Sequence, residues 1–423
     1  MFSLSSNARA TSRLVSLARC ISSPATASAA AAATAKSAAA TVVAPPSTAS
    51  KGAEGLVSTK DDSIVSTKMT VKDLFNVRFY QRGKDDAAFQ ELDRMCSQGT
   101  KTNLVSEFPL ELAFEDIQKR GEGNIIECKT TGVLAATNRS YIHPVIVDGI
   151  ERTLSYQFLL RVNPNFRNNS LGSYITGLAV KRDCKVYKAD YFSAYVIETN
   201  VTSSGVQRKI EASNSLLADF ETLGTYSSIA YQLRKDQPFQ TPLDATTAAG
   251  VKIEHITDRA EQERIIRSSE LINRQIFPAD LTDLLASPLN LGLYVATDAA
   301  GRKAGALAWH SGRVRKTYVL NGDFQYDKSV LLHNPFTSAQ TPEALALLHH
   351  LIYSLGNQFT AAGDFTSMFT FINKLNPITP ALVARSSLHV EWLLKFWQSS
   401  GEKRTCDMSN GRSAWFDPRT CLI

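Results

Sequence analysis

Residues 161–175 read RVNPNFRNNSLGSYI, and they join two segments of different character. The apolar run LSYQFLLRV at 154–162 precedes a polar turn, and Gly172 then opens a segment that can form a helix. A strand that feeds a turn at the start of a helix places free backbone N–H groups and the positive end of the helix dipole together. The stretch therefore predicts a phosphate-binding turn, or the remnant of one.

The rest of the first half predicts alternating strands and helices. Asp148-Gly149 is a hairpin signal, and the strand over 153–162 is the longest. The predicted strands are 76–80, 124–130, 132–137, 153–162, 191–199 and 229–233. The predicted helices are 85–97, 111–119, the segment after the turn, and 213–222.

The second half repeats much of this order. A strand at 252–257 precedes a helix at 258–274, and strands at 291–297 and 305–309 flank the turn DAAGRK. A strongly apolar helix at 342–359, a strand at 367–372 and a helix at 389–397 complete the pattern. Mixed order with hairpins predicts an α+β fold with two similar halves, residues 71–240 and 250–423.

This order of elements, with the glycine turn after the long strand, resembles the GNAT acetyltransferase superfamily. It is most similar to the plant HOOKLESS-type putative N-acetyltransferases. The stretches that carry the resemblance are VRFYQRGKDDAAFQELDRMCSQG, LLRVNPNFRNNSLG, ADFETLGTY and IEHITDRAEQERIIRSSELINRQIFPADLTDLLASPLNLGLYVAT. The resemblance covers roughly residues 75–400 and implies a mixed, mainly antiparallel sheet with flanking helices.

The resemblance also implies a site for acetyl-CoA. The backbone of the long strand would pair with the pantetheine arm, and the turn R-x-x-G-x-G would hold the pyrophosphate, since glycine lets the backbone approach an oxygen closely. The implied cofactor-binding residues are Leu160, Val162, Arg167, Asn169, Ser170 and Gly172.

Ser170 stands where this turn has its first glycine. A side chain there costs contact or strain of about 1–3 kcal/mol, which is roughly one to two powers of ten in affinity. The Ser170 hydroxyl could instead donate to the phosphate. The sequence predicts that acetyl-CoA binding is weakened or absent.

The residues for proton transfer also depart from the family. Aligning ADFETLGTY places Phe220, in the helix before the final strands, where many members have a tyrosine that protonates the thiolate. The long strand offers only Gln157 in place of an acidic base, which leaves Glu127 and Glu198 as weak candidates. Because acid–base assistance is worth about 10²–10⁴ in rate, these changes predict a degenerate enzyme.

The second half has HNPFTSAQTPEAL at 333–345 where the glycine turn would be, which predicts that this half binds no CoA. No metal site is predicted, because the histidines lack i,i+4 partners and the six cysteines lack C-x-x-C spacing.

Residues 1–23 are basic, rich in serine and free of acidic residues, which is typical of a mitochondrial transit peptide. A chloroplast leader or a disordered basic tail are the alternatives. Residues 24–70 are of low complexity and predict a flexible tether. The sequence contains no run of 18 unbroken apolar residues and therefore predicts no membrane span. Membrane association is expected only through partners.

The charge pattern bears on partners. The net charge is +6, and the first 50 residues contribute four of these charges, which leaves +2 for residues 51–423. The nearly neutral charge of residues 51–423 gives no electrostatic reason to expect nucleic-acid binding.

Two functional hypotheses follow. The sequence favours a non-catalytic accessory or scaffold subunit of a mitochondrial assembly (ATP synthase, a respiratory complex or the ribosome), with ATP synthase a guess. The alternative is an acetyl-CoA-dependent N-acetyltransferase that acts on an amine.

Overall fold

The computed structural model describes residues 70–96, 104–107, 121–147, 149–167, 169–213, 217–268, 276–314, 316–319, 325–326 and 328–399. The short helix α1 (Val71–Leu74) belongs to one unit of the chain, and a second unit begins at Phe75. The predicted leader, nearly all of the tether and the predicted helix at 111–119 lie outside the described residues.

The second unit contains strands and helices in alternating order. Its strands are β1 (Phe75–Phe79), β2 (Leu104–Glu107), β3 (Gly121–Cys128), β4 (Leu134–Val147), β5 (Ile150–Val162), β6 (Tyr191–Ile197), β7 (Leu217–Gln232), β8 (Lys252–Ile256), β9 (Ile276–Pro278), β10 (Asn290–Thr297), β11 (Lys303–Trp309), β12 (Lys316–Val319), β13 (Gln325–Tyr326), β14 (Ser329–Thr337), β15 (Ser367–Asn373) and β16 (Leu388–Ser399). Its helices are α2 (Asp86–Met95), α3 (Leu171–Val186), α4 (Val201–Ser213), α5 (Ala245–Ala249), α6 (Arg259–Ser268), α7 (Leu281–Leu285), α8 (Pro342–Ala362) and α9 (Thr379–Val383).

One large sheet runs through both halves in the order β1-β3-β4-β5-β6-β16-β7-β15-β14-β11-β10-β8, with β9 paired to β4. Strands β13, β12 and β2 form a separate small sheet. Among the described strands, only the pairs β5–β6 and β14–β15 are parallel. The predicted α+β fold with a mixed, mainly antiparallel sheet is confirmed.

The two halves exchange their last strands. Strand β7 leaves the first half and pairs with β15 of the second half, while β16 returns to pair with β6 of the first half. The two exchanged strands also pair with each other along most of their length. The halves therefore share one continuous sheet, and each is completed by a strand from the other.

Two helices predicted from the sequence are strands. The segment predicted as a helix at 213–222 lies mostly in β7, which also includes Phe220, and the segment at 389–397 lies in β16. Strand β16 has hydrogen-bonded neighbours on both sides, and it is rich in aromatic residues that suit a pleated, buried surface. Pairing with these neighbouring strands therefore decided the structure of a short apolar pattern that by itself fits either a helix or a strand. The premise that Phe220 lies in a helix was wrong.

The same irregularity occurs once in each half. Strand β5 has one extra residue against β4, and Leu159 there has a positive φ of 50°. Strand β14 has one extra residue against β11, and Asn334 there has a φ of 46°. A β-bulge bends its strand and re-aims the side chains around it. The repeated bulge supports the prediction of two similar halves.

Helices cover the two faces of the sheet. Buried residues of α6 and α7 pack with those of β10 and β11 in one cluster, whereas α8 packs its leucines on the other face of the second half. Helix α3 lies on β3, β4 and β5. There Arg182 donates to Ser140 Oγ (2.6 Å) and Asn124 Oδ1 (3.1 Å). A polar layer thus lies under α3, next to the point where β5 and β6 separate.

Candidate functional site

Strands β5 and β6 pair in parallel only from Leu154 opposite Tyr191 to Tyr156 opposite Ser193. Beyond this point they separate, and the bulge at Leu159 lies on the separated part of β5. The divergence opens a cleft of about 820 Å³, which includes solvent at its mouth. The cleft therefore exists because β5 bends away from its neighbour.

One wall of the cleft is apolar. Val180 of α3, Phe192 of β6 and Ile210 of α4 are buried and pack together with Trp397 of β16. Because β16 belongs to the second half, the exchanged strand completes this wall.

A second part of the cleft wall is polar. Asn138 of β4, Gln157 of β5 and Thr176 of α3 line the cleft and are all buried. The sequence offers one signal for this wall, the polar run TNRS at 137–140 directly after the apolar run GVLAA, and the structure places all four residues buried in the middle of β4. A run of buried polar residues in a strand is rare enough to indicate a site.

A buried carboxylate supports the polar wall from α3. Asp183 accepts hydrogen bonds from Ser155 Oγ (2.7 Å) and Gln157 Nε2 (2.9 Å), and Arg182 Nη2 lies 2.8 Å from its other oxygen. Burial raises the pKa of Asp183, while the positive charge of Arg182 opposes that rise. Asp183 is thus tied to the cleft through Gln157.

The turn between β5 and α3 is held by asparagine side chains. Asn163 Oδ1 accepts from the N–H of Asn165 (3.0 Å), and Asn169 Nδ2 donates to the carbonyl of Phe166 (3.0 Å). Arg167 folds back, with its Nε donating to the carbonyl of Val162 (3.3 Å). These bonds hold the turn together within the chain.

Ser170 precedes α3 in the left-handed conformation, with φ 59° and ψ 16°, and its side chain makes no capping hydrogen bond. The Ser170 hydroxyl therefore does not accept a hydrogen bond from the backbone N–H groups in the first turn of α3. A Cβ added to Gly172 would lie 3.5 Å from Val162 and Val206, which is an ordinary contact. Packing within the described chain therefore does not require Gly172.

We expect Ser170→Gly to stabilise the protein by about 1 kcal/mol, because glycine adopts this conformation without steric cost. Ser173→Gly in the first turn of α3 is the matched control, and it should destabilise the protein by about 0.5–1 kcal/mol. Urea unfolding measures both changes. Equal effects of the two substitutions would show that the backbone at Ser170 is not strained.

Of the predicted cofactor-binding residues, Leu160 lines the cleft. Val162 lies at the end of β5. The structure brings Arg167, Asn169, Ser170 and Gly172 together in the turn that follows and in the start of α3.

The candidate base Glu127 lies on β3 and accepts from Arg78 Nε at 3.0 Å. Arg78 also donates to Asp85 (2.7 Å), so the three side chains form one ion-pair cluster. Glu127 is not among the residues that line the cleft.

The candidate base Glu198 directly follows β6 and faces Glu391 of β16. A hydrogen bond with Glu391 raises the pKa of Glu198, and the same bond lowers the pKa of Glu391. Lys374 Nζ lies 2.7 Å from Glu391 and 3.9 Å from Glu198. Glu198 is not among the residues that line the cleft, although its neighbours Ile197 and Asn200 are.

The second half closes the equivalent region with its own side chains. Thr341 caps α8 by accepting from the N–H of Ala344 (3.3 Å), and Pro342 removes one donor from the first turn. The ring of Phe336 lies 2.3 Å from where a Cβ on Gly305 would be, so only glycine fits there. This helix start has less capacity for an anion than that of α3.

Sequence reasoning missed Asn138, Thr176, Trp392 and Trp397 as residues of the cleft. Both tryptophans lie on β16, which was predicted to be a helix in another part of the fold. Within the described residues, no cluster of histidine, cysteine, aspartate and glutamate could hold a metal ion, and no helix is long and apolar enough to span a membrane.

No protein-family model and no curated protein sequence matches the chain. Among solved structures, the chain is similar to Saccharomyces cerevisiae N-myristoyltransferase with bound myristoyl-CoA, with a TM-score of 0.51 at 10% identity over 79% of this chain and 83% of that chain. A second structure of that enzyme with myristoyl-CoA has a TM-score of 0.51 at 11% identity and covers 79% and 87%.

The chain has the fold of the GNAT N-acyltransferases. A GCN5-related N-acetyltransferase from Sphaerobacter thermophilus has a TM-score of 0.48 at 12% identity over 77% of this chain and 95% of that chain. At these identities the likeness extends to the fold alone, and membership of the superfamily stays a prediction. The closer resemblance to HOOKLESS-type proteins stays a prediction.

Proposed function

We propose that the protein binds an acyl-CoA in the cleft between β5 and β6 and transfers the acyl group to an amine. The separation of β5 from β6 at the bulge of Leu159 carries this proposal, because it opens the sheet beside a helix start that lacks a side-chain cap. The N-myristoyltransferase structures of similar fold hold myristoyl-CoA. Acetyl-CoA is the simplest thioester with which to test the cleft.

In this reaction the amine nitrogen attacks the thioester carbonyl, an N–C bond forms, the C–S bond breaks, and CoA leaves with a proton that the amine has lost. Backbone N–H groups near Leu160 are the donors proposed for the carbonyl oxygen. The described residues that line the cleft include no carboxylate, imidazole or amine, so a water molecule accepts the proton from the amine and passes it to the CoA sulfur. We therefore propose a slow enzyme, since acid–base assistance contributes about 10²–10⁴ in rate.

The second candidate is an accessory subunit of a mitochondrial assembly in which the cleft no longer turns over. The lining without a base favours it, as does the engagement of Glu127 with Arg78 and of Glu198 with Glu391. The proposed assemblies are ATP synthase, a respiratory complex and the ribosome. The proposed mitochondrial location rests on the N-terminal sequence pattern. The closer similarity to HOOKLESS-type proteins is likewise a proposal.

Calorimetric titration with acetyl-CoA tests the first proposal. We expect a dissociation constant in the micromolar range, which corresponds to about −8 kcal/mol, and slow release of CoA when a primary amine is added. The absence of heat up to millimolar ligand would contradict acyl-CoA binding.

A native gel of mitochondrial extract tests the second candidate. Migration with a complex of several hundred kilodaltons supports the accessory role, whereas a band at the size of the monomer contradicts it. Binding of acetyl-CoA together with migration in a complex would identify a subunit that has kept its ligand.

A further inference from the structure

Three uncharged polar side chains on β4, β5 and α3 line the cleft and have hydrogen-bonding atoms without a partner in the part of the chain that the structure describes, as do Arg161 at Nη2 and Trp392 at Nε1. In the three uncharged side chains these atoms are both amide atoms of Asn138, the Oε1 of Gln157 and the hydroxyl of Thr176. The three residues are only 1%, 7% and 8% exposed, respectively. Buried polar groups in folded proteins nearly always have a partner, so this cluster indicates a ligand that supplies one.

The buried network fixes which end of Gln157 faces the cleft. Its Nε2 donates to Asp183 Oδ2 at 2.9 Å and to Ser155 Oγ at 2.7 Å, so both amide hydrogens are used. The Ser155 hydroxyl donates to the same carboxylate oxygen at 2.7 Å, which leaves its lone pair for Gln157. Only the carbonyl oxygen of Gln157 is left for a ligand, and an amide oxygen accepts but does not donate.

Asn138 and Thr176 complement this acceptor. The amide nitrogen of Asn138 and the hydroxyl of Thr176 can each donate a hydrogen bond, and both residues line the same cleft as Gln157. A ligand group that offers one N–H and one carbonyl oxygen would give a partner to Gln157 Oε1, to the Thr176 hydroxyl and to the amide nitrogen of Asn138. A carboxamide has both.

We propose that Asn138, Gln157 and Thr176 bind one carboxamide group of the ligand, and that Asp183 is the positioning residue for Gln157. The carboxamide donates its N–H to Gln157 Oε1 and accepts at its carbonyl oxygen from Asn138 and Thr176. It can belong to the arm of CoA or to the acyl acceptor. Both sources rest on the proposed function, whereas the binding of a carboxamide in the cleft does not.

Three probes separate these sources. CoA contains amides, ADP is a nucleotide diphosphate without an amide, and N-acetylglycinamide is an amide without a nucleotide. Gln157→Met is a substitution of similar volume. We expect it to weaken the binding of the affected probe roughly tenfold, the equivalent of one lost hydrogen bond, as measured by calorimetry. The affinity for ADP should not change.

A loss for CoA assigns the carboxamide to the coenzyme arm, whereas a loss for N-acetylglycinamide alone assigns it to the acceptor. Unchanged affinities for all three probes overturn the proposal. If the wild-type protein binds no CoA, the proposed function fails, and the response of N-acetylglycinamide still decides this inference.

Thr176→Val is the second variant, since valine has nearly the same shape without the hydroxyl. We expect its Tm without ligand to equal or exceed that of the wild type, because the lost hydroxyl has no partner in the described chain. Its affinity for the amide-containing probe should fall. A lower Tm would show that the hydroxyl is bonded within the protein and would overturn its assignment to the ligand.

Asp183→Asn tests the positioning role. The substitution replaces one acceptor oxygen of Asp183 by a donor, so the amide of Gln157 can turn over and present nitrogen to the cleft. We expect the ratio of CoA affinity to ADP affinity to fall about tenfold. A general structural defect would weaken both probes and leave this ratio unchanged, which would count against the positioning role.

Discussion

The two halves of the chain, residues 71–240 and 250–423, are expected not to fold when they are expressed separately, and to form a soluble complex when they are co-expressed. The physical reason is the exchange of β7 and β16. A first half alone lacks the strand that pairs with both β6 and β7, so these strands would present unpaired backbone groups to water. A second half alone lacks the strand that covers the edge of β15.

The side chains of β16 make this loss large. Leu394 and Phe396 are at most 1% exposed, and Trp397 is 5% exposed. Full burial of such a side chain is worth about 1.5–3 kcal/mol, so three of them approach the whole stability of a typical domain, about 5–15 kcal/mol. Losing β16 should therefore unfold the first half rather than only loosen it.

Circular dichroism and size-exclusion chromatography of the single and co-expressed fragments measure this result. The co-expressed pair serves as the control, since the two fragments together supply every strand of the sheet. A monomeric first half with a cooperative thermal transition would show that the exchanged strand is dispensable.

The second large effect is expected at the ion pair between α2 and β5. Arg161 Nε lies 2.6 Å from Asp93 Oδ1, and these side chains are only 11% and 2% exposed. Removing one partner of a buried pair leaves an uncompensated charge, which costs about 3–5 kcal/mol. We therefore expect Asp93→Ala to lower the free energy of unfolding by this amount, as measured by urea denaturation.

Two further variants isolate the cause. Glu261→Ala removes an exposed i,i+3 pair with Arg264 and should change stability little, because solvent screens such pairs. The double variant Asp93→Leu with Arg161→Met removes both charges and should recover most of the lost stability. If the double variant is as unstable as Asp93→Ala, packing rather than the unpaired charge explains the loss.

Local patterns in the sequence predicted most of the elements that frame the cleft. The long strand before Asn163 and the helix after Ser170 are both present, and so is the hairpin around DAAGRK in the second half, away from the cleft. Each depends on interactions between residues close in the chain, such as alternation along a strand and turn residues with special φ values. Ser170 was also identified as the unusual position of the turn, and its φ of 59° gives the reason.

The lining of the cleft could not be predicted in the same way. Trp392 and Trp397 reach it on a strand that enters from the other half, and no local pattern in 388–399 indicates that insertion. Gln157 was noted in the sequence only because it stands where the family often has an acidic base. Its orientation depends on Asp183, which is 26 positions further along the chain.

The amino-acid sequence by itself determined β1, α2, β3, β5, α3 and β6 of the first half, the polar turn and the composition bias of the N-terminus, because these follow from neighbouring residues. Strand β2 was not predicted. Only the tertiary structure decided that β7 and β16 are strands, that they change places, and that Asn138, Gln157 and Thr176 meet in one cleft. Strand pairing satisfies backbone groups between segments far apart in the chain, so its outcome depends on which partners are available and not on the local sequence.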